Sequence, residues 1–278
     1  MKSEVFNGAR FGAYFKYDFH QMWRNHVKAA IGIGLAGLIL YVVWILFGLI
    51  LRGSWQAPSI GARYFVFMLA FTALELYQTR TYGYLTEKRK GSAWLLIPAS
   101  GFEKWLSMMI MTLIILPVFF LVSSLGIDAL LSVVDPTFGK PIVSGFSDGF
   151  QTISGQFIQI NETYETTWNP GTFITLAIIG TFVNFLFFLL CGIWFKRFKI
   201  IWGFILLFAL SITGVAISVL LVNAGIVPSS YVMDIDMEDP VKGEMLIRSF
   251  MRWVALISAG IAALLAFLAY RRIKTLKH

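Results

Sequence analysis

Six long apolar blocks alternate with polar segments along the chain. They cover residues 29–51, 61–84, 105–134, 171–195, 200–224 and 250–270. A helix of about 20 apolar residues crosses the hydrocarbon layer of a bilayer, which is about 30 Å thick. A soluble helical protein would instead show apolar stripes separated by polar faces. The pattern therefore predicts an all-α integral membrane protein with about six transmembrane helices.

The third block is longer than a single crossing requires, and Pro117 lies inside it. A proline removes one helical hydrogen bond and crowds the preceding turn. We expect this block to tilt, to bend at Pro117, or to extend beyond the hydrocarbon.

The first 28 residues are polar, basic and rich in aromatic side chains. Five apolar or aromatic residues recur at helical spacing: Phe11, Phe15, Phe19, Met22 and His26. A helix with this face, and with cations elsewhere around it, is expected to lie flat in the membrane interface. The alternative is a plain cytosolic extension of the first span. We therefore divide the chain into an amphipathic arm, residues 1–28, and a single transmembrane domain, residues 29–278.

Lysine and arginine are distributed unevenly between the two predicted sides of the membrane. Seventeen lie near the N-terminus, near the C-terminus and in loops 79–104 and 196–199, and six lie on the other side. Because cytoplasmic loops carry the excess of Lys and Arg, both termini are predicted to be cytoplasmic, and segments 135–170 and 225–249 external. Most acidic residues fall on the external side, in agreement. The location predicted is the bacterial cytoplasmic (inner) membrane.

Composition supports the same class of protein. Apolar residues make up 58% of the chain, charged residues 14%, and the mean hydropathy is +0.74. The net charge of +8 follows the predicted membrane orientation, so the partners expected are membrane lipids and not nucleic acid. The single cysteine, Cys191, lies in an apolar block. It is expected to be a packing residue, with no disulfide partner within one chain.

The two predicted external segments differ in composition. Segment 135–170 is rich in Gly, Ser, Thr and aromatic residues, and residues 151–160 partly alternate, which allows a short β-hairpin. Segment 225–249 is acidic around residues 234–239. A solvated acidic loop is favoured there over a metal site, because a metal would need several oxygens converging on one point.

The sequence contains no recognisable catalytic motif. Its three histidines are His20, His26 and His278, which excludes an HExxH zinc site and argues against a Ser-His-Asp arrangement. No glycine-rich phosphate loop is present. We therefore expect no catalytic, cofactor-binding or metal site in this chain.

Three polar residues lie inside predicted spans, where such groups are energetically expensive. They are Glu75, Asp128 and Asn184. An ion-coupled carrier would place such groups near mid-membrane. The structural alternatives are that Glu75 pairs with a polar neighbour and that Asp128 reaches the outer head groups.

The segment between the second and third blocks, residues 79–104, is more than a connector. A charged run is followed by a break at Gly91 and by an apolar turn, Trp94–Ile97, which Pro98 ends. Ser100 and Glu103 have the spacing of a capping box, which predicts a new helix leading into the third span. The segment is thus predicted to be a short helix lying across the membrane face.

The apolar turn of this segment is predicted to be exposed. Trp94, Leu95 and Leu96 on the cytoplasmic side would need a partner, either lipid or protein. The residues alone favour neither.

The organisation resembles the permease subunits of type-2 ABC exporters. The resemblance rests on six spans with cytoplasmic ends, an amphipathic arm, and the loop motif. That motif runs from Glu87 through Gly91 and Leu95-Leu96-x-Pro98 to Glu103-Lys104.

The resemblance implies a coupling helix at residues 86–97, docked on a separately encoded ATPase that binds ATP and Mg²⁺. It implies that the partner-coupling residues are Glu87, Gly91, Trp94, Leu95, Leu96 and Pro98. It also implies a homodimer, or pairing with a second permease, that exports a lipid, a peptide or an amphipathic small molecule.

Two other classes remain open. One is a non-transporting membrane protein, such as a sensor, an immunity protein or a scaffold, acting through its external loops. The other is an ion-coupled secondary carrier that depends on Glu75, although no internal repeat is evident.

Overall fold

The computed structural model describes residues 6–87, 91, 94–164, 171–223 and 240–275. Within these ranges the chain consists of helices and short connections, without strands, which confirms the all-α prediction for this part. The helices are α1 Gly8–Met22, α2 Lys28–Gly34, α3 Ala36–Arg52, α4 Ile60–Thr81, α5 Gly101–Ile110, α6 Leu116–Val134, α7 Ile142–Tyr164, α8 Gly171–Trp194, α9 Lys199–Asn223 and α10 Pro240–Thr275. π-helical turns, Trp23–Val27 and Met111–Ile115, join α1 to α2 and α5 to α6, and 3₁₀ turns cover Gly83–Thr86 and Pro136–Phe138.

Four described segments are long and apolar enough to cross a membrane. They are Ile60–Thr86, Gly101–Val134, Ile174–Trp194 and Met251–Thr275. Gly8–Gly34 and Ala36–Leu51, which meet at an angle of 41°, make a fifth if the bent pair is one span. The fifth predicted block, residues 200–224, coincides with α9, of which Lys199–Thr213 qualifies as a shorter apolar helix. The chain is therefore a multi-pass membrane protein with four or five candidate spans among the described residues.

The arm and the first span do not separate at residue 28. α1 continues through the π-helical turn into α2, and the bend comes later, at Leu35. α2 approaches α6 closely at Gly34, where a β-carbon would collide with Ser123 Oγ and lie 2.9 Å from the carbonyl oxygen of Phe120. A glycine is therefore required at this helix crossing.

The third predicted span is a long helix whose hydrogen bonding changes just before Pro117. The turn Met111–Ile115 is π-helical, and α6 begins directly after it. A widened turn gives room to the proline ring, which would otherwise clash with the preceding helical turn. Residues 101–134 extend for roughly 50 Å at 1.5 Å per residue. This exceeds the hydrocarbon thickness of about 30 Å, so the helix tilts or extends beyond the apolar layer.

The larger core lies around α8, at the end of the bundle where α4 ends and α5 begins. Its buried members include Tyr82, Leu85, Met108, Leu189, Cys191 and Ile193. Gly192 of α8 faces the backbone of Thr79, and a β-carbon there would collide with the Thr79 carbonyl oxygen. Small residues at such crossings let helices approach closely in membranes.

The predicted external segments contain more helix than expected. Residues 151–160 belong to α7, so the suggested hairpin is wrong. Phe146 of α7 packs edge-on against Tyr64 at 5.1 Å, and Tyr64 Oη donates to the carbonyl oxygen of Ile142. α10 begins at Pro240, inside the predicted loop 225–249. Residues 165–170 and 224–239, including the acidic run 234–239, lie outside the described residues.

Candidate functional site

The segment predicted to form a coupling helix is held between the arm and the start of α5. Gly91, Trp94 and Leu95 are helical and residues 96–98 form the following turn, while residues 88–90 and 92–93 lie outside the described part. We call residues 94–98 the loop turn. Tyr14 and Lys104 contact this turn directly, and the contacts of Glu103 and Asp18 join the arm to the elements around it.

Trp94 is buried, with 4% of its surface exposed. Its Nε1–H donates to Tyr14 Oη at 3.0 Å, and the Lys104 ammonium lies 4.6 Å from its ring centroid. The expectation that Trp94 is exposed is therefore wrong. The indole buries its apolar body in the core while α1 supplies the acceptor that its N–H requires.

The other two apolar residues of the loop turn differ from Trp94 and from each other. Leu95 is half-buried against the core, whereas Leu96 is 84% exposed. Lys104 Nζ donates to the carbonyl oxygens of Trp94 at 3.0 Å and Leu95 at 3.3 Å. These carbonyls end a helical turn that Pro98 prevents from continuing, so a lysine supplies the missing donors. Lys104 thus holds the backbone of the loop turn, while the side chain of Leu96 stays exposed.

Glu103 ties the arm to the first turn of α5. Arg10 donates from Nε to Oε2 and from Nη2 to Oε1, both at 2.8 Å. The backbone N–H groups of Asn7 and Ser100 donate to the same carboxylate, and Ser100 Oγ accepts from the Glu103 N–H. The predicted capping box is confirmed. The Arg10 guanidinium lowers the pKa of Glu103 to about 2 by hydrogen bonding to the ionised carboxylate.

Asp18 is a buried carboxyl that joins the arm to two other elements. Its Oδ2 accepts from Tyr82 Oη at 2.7 Å and from Ser107 Oγ at 2.5 Å. Asp18 is not among the site residues predicted from the sequence. The signal was the spacing of Tyr14, Asp18 and Met22, which puts an acid on the buried face of an amphipathic helix.

The remaining predicted coupling residues lie around the loop turn. The Glu87 N–H donates to the Tyr84 carbonyl oxygen at 2.9 Å, and the buried Gly91 donates to the Glu87 carbonyl oxygen at 2.8 Å. Pro98 is exposed beside Leu96. Among the predicted coupling residues described here, Glu87, Leu96 and Pro98 are exposed and could be reached by a partner.

Two of the three intramembrane candidates meet. Asn184 Nδ2 of α8 donates to Glu75 Oε1 of α4 at 3.4 Å, and both side chains are half-buried. This pairing agrees with the structural alternative stated for Glu75. It also leaves a carboxyl group inside a membrane span without a described ion pair.

Asp128 belongs to a different site. Its Oδ1 accepts from Arg63 Nη1 at 2.9 Å and its Oδ2 from the Ile142 N–H at 2.6 Å. Arg63 Nη2 donates to the carbonyl oxygens of Phe138 and Lys140. Asp128 therefore fastens the segment before α7 to α4 and α6. Arg63 is not among the site residues predicted from the sequence.

The Asp18 and Asp128 networks lie at opposite ends of the α5–α6 helix. Ser107 and Asp128 are separated by about 31 Å along it at 1.5 Å per residue. This length matches the hydrocarbon thickness of a bilayer. The two networks thus have the spacing of two membrane faces.

Comparisons with protein-family models, with curated proteins and with solved structures find no match. Among the described residues, no three His, Cys, Asp or Glu side chains come together in a group that could hold a metal ion. The loop turn and the Glu75–Asn184 pair are therefore the candidate functional features of the described residues.

Proposed function

We propose that this chain is the membrane-spanning permease subunit of an ABC-type exporter. A separately encoded ATPase would dock on segment 86–97 and supply ATP and Mg²⁺ binding. The permease would pair with a second copy or a second permease and move a lipid, a peptide or an amphipathic small molecule. The observation that carries the proposal is Leu96, a large apolar side chain exposed at the tip of an anchored turn.

An element that transmits force from a soluble motor must be exposed to it and also attached to the spans. The loop turn has both properties, because Leu96 is exposed while Trp94 is bonded to Tyr14 of the arm and capped by Lys104 of α5. Movement of the turn would displace α1 and α5 together. In the proposed mechanism, nucleotide-driven closure of the ATPase biases the spans between inward-open and outward-open states.

The proposed topology has six spans in the bacterial cytoplasmic membrane, with both termini cytoplasmic and the arm at the inner interface. The Lys/Arg distribution supports this orientation. It can be tested in a Cys191→Ala background with a membrane-impermeant thiol reagent. Lys16→Cys should be labelled only from the cytoplasmic side, and Lys140→Cys only from outside. The reverse labelling pattern would invert the orientation.

The partner is tested by purifying the tagged protein from its native membranes in mild detergent and identifying copurifying proteins by mass spectrometry. Wild type should retain a near-stoichiometric soluble protein with a Walker phosphate loop. Leu96→Glu should lose it, because a carboxylate replaces the exposed apolar contact without touching the core. Leu96→Met and Lys16→Glu are matched controls, and both should keep the partner.

Two results would contradict the exporter proposal. If wild type purified alone or only with cell-surface proteins, the non-transporting class would replace it. If Leu96→Glu kept the ATPase at the wild-type ratio, segment 86–97 would not be the docking surface.

The Glu75–Asn184 pair favours a second candidate, an ion-coupled carrier. A carboxyl group inside a span, hydrogen-bonded to one amide, is suited to binding and releasing a proton or a cation. Glu75→Gln keeps the shape and the contact with Asn184 while removing the charge. If the protein is an ion-coupled carrier, this variant should lose transport in proteoliposomes without an ATPase. Full transport by Glu75→Gln would eliminate the carrier hypothesis.

A further inference from the structure

Three cations surround two neighbouring clefts at the end of the bundle where α4 ends and α9 begins. We call Arg80, Lys196 and Lys199 the basic rim. Arg80 and Lys199, together with Thr79, line both clefts, and Lys196 lines the second. The described ion pairs, Arg10–Glu103, Arg63–Asp128 and Lys140–Asp148, use other cations.

The first cleft is large and is lined by both polar and apolar groups. Its volume is about 650 Å³, within the range of small-molecule sites. Amide, phenol and carboxyl groups line it, from Gln21, Asn25, Tyr17, Tyr84 and Glu87. Such groups can hydrogen-bond to hydroxyl and ester oxygens.

The second cleft is smaller and mostly apolar. Its volume is about 360 Å³, and Phe198, Ile200 and Ile201 line it beside Lys196. Along the same helix, Trp202 and Ile205 are exposed. This cleft therefore joins the basic rim to an apolar helix surface.

Phe198 has an unusual backbone at this place. It is the one described non-glycine residue with a positive φ, 51°, and its side chain is 69% exposed. A bulky residue is rarely found in the left-handed region. The turn between α8 and α9 thus places an aromatic ring outward between Lys196 and Lys199, an arrangement typical of membrane interfaces.

Lys199 is positioned by the protein but still has a donor available. Its ammonium donates to the Gly83 carbonyl oxygen and to Thr86 Oγ1. An ammonium has three N–H groups, so one remains for a ligand. Glu87 lies close enough to oppose the lowering of the Lys199 pKa by burial, and it offsets part of the local charge. With three cations and one carboxylate, the site still attracts anions.

We propose that this region binds the head group of an anionic phospholipid. The phosphate lies on the basic rim, the polar head group enters the first cleft, and the acylglycerol part follows the second cleft toward α9. A lipid is favoured over a soluble anion because the cations adjoin an apolar cleft and an exposed apolar helix. The inference rests on the membrane-spanning character of the chain and is independent of the exporter proposal.

The test is native mass spectrometry on the purified, delipidated full-length protein, titrated with phosphatidylglycerol or phosphatidylcholine carrying identical acyl chains. Wild type should bind phosphatidylglycerol at least tenfold more tightly. Arg80→Gln/Lys196→Gln should weaken that binding by roughly 25-fold, since a cation near an anionic lipid contributes roughly a fivefold factor. Lys199 is left intact because it also holds Gly83 and Thr86.

Lys16→Gln/Arg271→Gln is the matched control, because it removes two exposed cations that line neither cleft. It should bind phosphatidylglycerol as wild type does. Equal affinity for both lipids, an unaffected rim variant, or an equal loss in the control would each overturn the proposal. Displacement of the lipid by millimolar inorganic phosphate would also overturn it and identify a site for a free anion.

Discussion

Two buried aspartates at opposite ends of the α5–α6 helix are satisfied in different ways. Asp128 pairs with a buried arginine that also binds two backbone carbonyls, whereas Asp18 accepts from two neutral hydroxyls. The Arg63–Asp128 pair needs both charges, because removing one leaves the other buried without a counter-charge. Removal of the Asp18 carboxyl group leaves only two neutral hydroxyl groups without their acceptor.

This difference distinguishes an end built to stay fixed from an end that can adjust. The Arg63–Asp128 network holds α4, α6 and the segment before α7 in one geometry. The Asp18 network joins the arm to Tyr82 and Ser107 through hydrogen bonds to neutral hydroxyl groups, without an ion pair to Asp18 among the described residues. The exporter proposal places its moving coupling element at the Asp18 end, where Leu96 is also exposed.

The largest effect is expected from Asp128→Ala. It leaves the Arg63 guanidinium buried without its counter-charge, and it should lower the free energy of unfolding by about 3–5 kcal/mol. Thermal unfolding in detergent or bicelles measures this. Arg63→Met/Asp128→Leu removes both charges and should recover most of the lost free energy of unfolding. A double variant as unstable as Asp128→Ala would instead show that the ion pair itself supplies the stability.

A smaller effect is expected from Asp18→Ala, the matched change at the other end. Tyr82 Oη and Ser107 Oγ lose their acceptor, at a cost of about 1–3 kcal/mol. Asp18→Asn keeps an acceptor oxygen and should fall between this variant and wild type in the same assay. A loss at Asp18 equal to that at Asp128 would remove the distinction between the two ends.

The smallest effect concerns pH at the Arg10–Glu103 contact. Because the pKa of Glu103 is lowered to about 2 from an ordinary value of 4.5, the contact should be fully stabilising above pH 4.5. It should weaken as the pH falls from 4.5 toward 2. The protection of α1 amides from hydrogen exchange, relative to the intrinsic rate at each pH, should fall across this window in wild type. Glu103→Gln should abolish the dependence, and a fall in that variant too would assign the titration to another group.

Periodicity and local motifs predicted much of the fold. Five of the six apolar blocks predicted their helices within a few residues, whereas α10 begins ten residues before its block. Ser100 and Glu103 predicted the start of α5. The prediction of a hairpin at residues 151–160 was wrong because partial alternation only weakly indicates a strand. The same helix packs on α4 through Phe146 and Tyr64. The bend at Leu35 and the π-helical turn before Pro117 depend on contacts and backbone strain that a hydropathy pattern does not contain.

By itself, the sequence determined that this is a multi-pass helical membrane protein, because block length and charge distribution follow directly from the thickness and polarity of a bilayer. Only the tertiary structure decided which polar residues meet. Trp94 and Leu96 are two positions apart in one apolar turn, yet Tyr14, 80 residues away along the chain, buries the first and leaves the second exposed. Glu75 meets Asn184 and Asp128 meets Arg63 for the same reason, since partners distant in sequence are chosen by helix packing.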